Sequence, residues 1–117
     1  MAKKKWEKSP QKLVDTFYDL MNTFPQADLR KMFGYPCAFY KGNMFVGLHE
    51  HRMVIRLNSQ ERDAALKQKI GDVFAPMEGR VMKEYITISQ EVISNRDLVQ
   101  KLLSQSFAYA KTLPPKG

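Results

Sequence analysis

One cysteine, one tryptophan and two histidines in 117 residues leave little material for several kinds of chemistry. Cys37 is alone, so no internal disulfide can form, which suits a reducing compartment. His49 and His51, two apart on Glu50, supply too few ligands for a closed zinc site, so no metal and no cofactor are expected. No apolar run approaches the roughly 18 residues of a membrane span, and the basic start is followed by no apolar signal-peptide segment. The expected location is therefore cytoplasmic, with no membrane partner. No glycine-rich nucleotide loop follows a predicted strand. What is present is an ordinary globular composition, 44% apolar and 26% charged. The length fits one domain able to bury roughly two thirds of its extended surface without staples.

The net charge of +7 is unevenly spread. Lys3, Lys4, Lys5, Lys8 and Lys12, set against Glu7, account for more than half of it within the first twelve residues. The rest of the chain is close to balanced. The basic signal is mostly an arm, assigned to residues 1–8, ahead of a single domain over 9–113 and a short tail over 114–117.

Ser9-Pro10 reads as a cap followed by a first helical proline, and Leu13, Val14, Phe17, Leu20, Met21 and Phe24 recur at helical spacing until Pro25. The stretch from Met32 to Leu57 reads as an antiparallel meander. Gly42-Asn43 is its first hairpin turn and Glu50-His51 its second, with a possible short strand before Gly34. In this register Phe39 faces Val46 and Cys37 faces Leu48 on one apolar side, while Ala38, Tyr40, Phe45 and Gly47 take the other. Asn58 with Glu61 opens a helix over about 59–70 that stops at Gly71. A hairpin follows, turning at Glu78-Gly79 into a strand over 81–88. Ser94 or Asn95 caps a last helix, whose stripe runs from Val99 to Leu113. The order predicts a two-layer α+β fold, an antiparallel sheet of meander plus hairpin covered by the N- and C-terminal helices.

Met32-Phe33-Gly34, Gly42 followed by Met44-Phe45, the strand over 52–57, Phe74, Tyr85 and the alanine-bearing last helix resemble the TfoX N-terminal domain family, also called TfoX/Sxy, over about residues 10–113. The resemblance implies a fold similar to type III secretion chaperones and, since the founding members regulate natural competence, a regulatory and bacterial setting. Tyr35-Pro36-Cys37 stands where glycine-rich residues are usual, and Ser89 where a proline commonly follows the last strand. The longer competence regulators carry a second domain after this one, so competence activation itself does not transfer.

No set of residues names a reaction, so no catalytic residue is expected and the chain reads as non-enzymatic. Cys37 with His49 or His51 is the one nucleophile-and-base combination, and the predicted register separates Cys37 from His49 on opposite faces. Glu84 shares a strand side with Met82, Ile86 and Ile88, so it should be paired, with Arg80 or with Arg30, Arg52 or Arg56. The other meander face would present Tyr40 and Phe45 beside Arg52 and Arg56. That surface suits a homodimer or another protein partner. Alternatively, with Lys3, Lys4 and Lys5, it suits single-stranded nucleic acid, where bases stack and cations meet phosphates.

Overall fold

The computed structural model describes residues 6–77 and 79–116. Lys3, Lys4 and Lys5 lie outside the described residues. Pro10, with its ring-fixed φ of −59°, stands at the N-cap of α1 (Gln11–Met21), and its carbonyl accepts from the Val14 amide at 3.1 Å. Ser9, expected to cap this helix, donates its hydroxyl to the Glu50 carbonyl at 2.7 Å instead. The helix ends before Pro25, and Phe24 packs from the turn beyond it, 5.4 Å from the Phe107 ring.

β1 (Asp28–Met32), β2 (Tyr35–Tyr40), β3 (Asn43–His49) and β4 (Arg52–Arg56) form the meander. The β2–β3 turn falls one residue earlier than predicted. Lys41 and Gly42 both take positive φ, 48° and 85°, as a type I′ turn requires, so Tyr40 pairs with Asn43. The register then slips at a bulge: Phe39 opposes Met44 and Ala38 opposes Val46, leaving Phe45 without a partner. A one-residue slip exchanges the faces of a strand. Cys37 and Phe39 therefore leave the side occupied by Val46 and Leu48, and Ala38 and Tyr40 join it. The β3–β4 pairing, with His49 opposite Arg52 and Val46 opposite Ile55, agrees with the predicted register.

Asn58 caps α2 (Ser59–Lys67) by accepting from the Glu61 amide at 2.8 Å. The helix stops before Gly71, at a turn where Lys69 takes φ 59°. Gly71 serves a different need: a Cβ there would lie 2.8 Å from Ile86 Cδ1 and 3.0 Å from the Thr87 carbonyl oxygen. β5 (Asp72–Met77) and β6 (Arg80–Ile88) complete one antiparallel sheet in the order β1-β2-β3-β4-β6-β5. Ser89, through its hydroxyl on the Val92 amide, caps a short α3 (Gln90–Ile93), and Asn95 caps α4 (Arg96–Thr112).

The fold is α+β in two layers, as predicted. α1 and α4 press Leu13, Phe17, Leu20, Val99, Leu102 and Leu103 onto Val46, Leu48, Met53, Ile55, Ile86 and Ile88, all buried. Ser106 on α4 is fully buried and donates its hydroxyl to the carbonyl of the bulged Phe45 at 2.7 Å. Both termini of the described chain are tied to the sheet. The Lys116 amide donates to the Lys41 carbonyl at 2.8 Å, and Asn43 Nδ2 donates to the Pro114 carbonyl at 2.9 Å. The short tail is therefore anchored to the sheet through Pro114 and Lys116.

Candidate functional site

With α1 and α4 filling one side of the sheet, the other side is open to a cavity of about 310 Å³. The alternation that sends Met53, Ile55 and Ile86 into the core sends Val54 and Tyr85 to this side. The early turn and the bulge add Cys37, Phe39 and Met44, and β5 with β6 add Phe74 and Met82. The walls are mostly apolar.

The two ends of the cavity differ. Toward the Glu50-His51 turn, aromatic rings gather around His49: Trp6 at 4.7 Å between centroids, Tyr35 at 5.4 Å and Phe74 at 5.4 Å. Trp6 is held there by its neighbours. The Glu7 amide donates to Glu50 Oε2 at 2.8 Å, the Tyr35 hydroxyl donates to the Glu7 carbonyl, and Glu7 Oε2 lies 3.0 Å from His51 Nε2. Residues 6–8, assigned to the basic arm, form with Ser9 a strap across this end.

The opposite end lies beside the Lys41-Gly42 turn and carries the cations Arg56 and Lys116. Arg56 Nε donates to Glu84 Oε1 at 2.6 Å, and the guanidinium stands 5.6 Å from the Tyr85 ring centroid and 5.9 Å from that of Tyr109. Burial, opposed by Arg56 and reinforced by Glu84, pushes the Tyr85 hydroxyl above its ordinary pKa. Burial also raises Tyr109, with Glu84 beside it adding to the effect.

The residues singled out from the sequence do not converge. Tyr40 and Phe45 lie on the helix side, each 5.2 Å from the Phe107 ring of α4. Arg52 is on the open side but engaged, donating to Thr87 Oγ1 at 3.0 Å and to Asp72 Oδ2 at 2.7 Å. The expected face of Tyr40, Phe45, Arg52 and Arg56 is therefore not one surface, because the turn and the bulge moved the two rings through the sheet. Glu84 is paired, with Arg56 rather than Arg80. Cys37 and His49 share the open face, so the predicted separation does not hold. Burial raises the Cys37 thiol pKa, the opposite of an activated nucleophile. Among the described residues, no three His, Cys, Asp or Glu side chains gather into a metal-holding group. None of the helices found there is long and apolar enough to cross a membrane.

A family model for the TfoX N-terminal domain matches residues 19–110, most of the chain. The chain belongs to the TfoX N-terminal domain family. A search among curated proteins gives no match. In this TfoX N-terminal domain the matched span covers β1 to β6 and most of α4, and so nearly all of the cavity. Trp6 and Lys116 lie outside it. Met44, Phe74 and Tyr85, named from the sequence only for the family resemblance, line the cavity, as do Trp6, Met82 and Lys116, none of which was among the expected site residues. The one available signal was a lone tryptophan inside an otherwise polar, basic arm, where only a packing partner explains its presence.

Proposed function

We propose that this TfoX N-terminal domain is a non-enzymatic regulatory module that acts by binding, and that its working surface is the helix-free face of the sheet. The observation that carries this reading is the placement of large exposed apolar side chains around the cavity on that face. Met32 and Phe33, 37% and 79% exposed, stand at the β1–β2 end, and Met82, 39% exposed, at the β6 end. Apolar groups gathered at a rim mark an interaction site more often than scattered ones do. The regulatory role rests on the family resemblance. The raised thiol pKa of Cys37 and the pairing of Glu84 with Arg56 both favour a structural over a catalytic use of these groups.

The partner that matches this face is a second copy of the chain. A two-fold axis lying between stacked sheets would bury the exposed Met32, Phe33 and Met82 of both copies in one isologous interface. Each copy carries +7, so salt should favour the pair by screening. The test is solution mass at low and moderate salt, with absorbance at 260 and 280 nm read across the peak. A dimer that strengthens with salt and becomes monomeric on Phe33→Asp is expected. A monomer at about 100 μM would overturn the self-association, and a monomer that carries nucleic acid and sheds it with salt would replace it with a nucleic-acid role.

A further inference from the structure

The helix-free cavity is polarised along the strands, and its shape and charge together define a ligand. Deepening the reading that this face is the working surface, we propose that the cavity binds a small amphipathic anion: a carboxylate on a short aliphatic or aromatic body, its charge held at the Arg56 and Lys116 end. The volume of about 310 Å³ lies at the small-molecule end of the range for ligand sites. A free small acid is thus the fitting source, rather than a polypeptide.

The body of the ligand lies along Phe39, Met44, Val54, Phe74 and Met82, all of which line the space. The end beneath Trp6 offers ring faces and edges. At the other end, the basic residues lining the cavity are Arg56 and Lys116, and among the described residues no Asp or Glu lines it. The register puts the two basic residues at one end: Arg56 closes β4 opposite Tyr85, and the Lys116 backbone is fastened to Lys41 at the β2–β3 turn. Glu84 engages Arg56 through Nε and the neighbouring Nη2. A guanidinium carries five N–H donors in a planar fork, so an incoming carboxylate can be met without displacing Glu84. Tyr85 stands beside Arg56 with its hydroxyl kept protonated by burial, and so available as a neutral donor. A cationic ligand would face Arg56 and Lys116 across low-dielectric walls. A neutral one would gain no charge-assisted hydrogen bond from the guanidinium donors that Glu84 leaves over.

Octanoate, octanamide and octylamine share a chain and differ in the head group, and the full chain can be titrated with each by calorimetry, with Trp6 emission read in parallel. Octanoate is expected to bind about tenfold or more tightly than octanamide, with octylamine weakest. Lys116→Ala should weaken octanoate several-fold and Arg56→Gln about tenfold. Met82→Trp, placed at a partly exposed wall, should abolish binding by filling the space while leaving the fold intact. Equal affinity for octanamide overturns the anion preference, and octanoate binding unchanged in Met82→Trp overturns the location. No binding of octanoate at about 5 mM overturns the proposal outright. Solution mass in the same samples separates the two readings: a monomer that binds octanoate removes only the self-association, and a dimer that ignores it removes only the ligand.

Discussion

Ser106 shows how a single polar atom can hold two layers together. A bulge takes one residue out of the ladder, and its carbonyl must find a donor elsewhere or carry the cost of burial. Phe45 is that residue, and the Ser106 hydroxyl, fully buried on α4, is that donor. Ser106→Ala should therefore destabilise the protein by about 1–3 kcal/mol, read as a lower urea midpoint with unchanged m-value. Loss of only a few tenths of a kcal/mol would mean that water reaches the carbonyl. The raised pKa values of Cys37 and Tyr85 make a second prediction. Both groups favour the neutral form in the folded state, so the unfolded chain loses its protons first as pH rises. Stability should be flat below the ordinary thiol pKa of 9.0, then fall as pH climbs past it and past the ordinary tyrosine value of 10.0 toward the raised folded values. Denaturant midpoints between pH 7 and 11 check the sign. Alkylation of the native thiol at pH 7 should correspondingly be far slower than that of the unfolded chain.

At the scale of elements, the periodic signals were legible and the irregular ones were not. α1 and α4 declared themselves through apolar spacing, and the β3–β4 register followed from alternation between Val46 and Ile55. The order of elements was enough for the two-layer α+β architecture. The β2–β3 turn was misplaced because Gly42 can occupy either central position of a two-residue turn. The choice is made by long-range contacts of Asn43 and Gly42 with residues 114 and 116, which no local pattern encodes. The bulge at Phe45 was likewise invisible, since both faces of that strand are apolar and period two does not distinguish them. These two shifts decided which residues line the cavity, and so dispersed the predicted set of Tyr40, Phe45, Arg52 and Arg56. The same turn allows a direct comparison. Gly42 has φ 85° and a built Cβ would lie 2.1 Å from the Lys116 carbonyl oxygen, whereas Gly34 has φ 84° and nothing within 4 Å. Gly34→Ala should cost about 1 kcal/mol, the strain of the left-handed conformation alone. Gly42→Ala should cost about 1–2 kcal/mol more and release residues 114–116, seen as faster amide exchange at Lys116. Equal costs at the two glycines would show that the terminal segment is not seated there.

For the whole molecule, the question is what keeps one side of a sheet without helices from being simply solvent-exposed. The strap of residues 6–9 gives part of the answer. It is fixed by contacts from three directions: Glu50 holds the Glu7 amide and the Ser9 hydroxyl, Tyr35 holds the Glu7 carbonyl, and His51 faces the Glu7 carboxylate. Between them Trp6 lies edge-on to Phe33 at 5.6 Å and to His49 at 4.7 Å, closing the aromatic end of the cavity. The exposed contact between Glu7 and His51 contributes little by itself, and buried indole area contributes most. Removing residues 1–8 should lower stability by about 2–3 kcal/mol, which for a domain of this size is roughly 8–16 °C in Tm. Trp6→Ala in the full chain should reproduce most of that loss, and Glu7→Gln little of it. Because Trp6 is the only tryptophan, its emission reports the strap directly: it should be blue-shifted in the native protein and move to the red with the global transition. A red-shifted native emission, or a truncated chain as stable as the parent, would mean that the strap is detached in solution and that the aromatic end of the cavity is open.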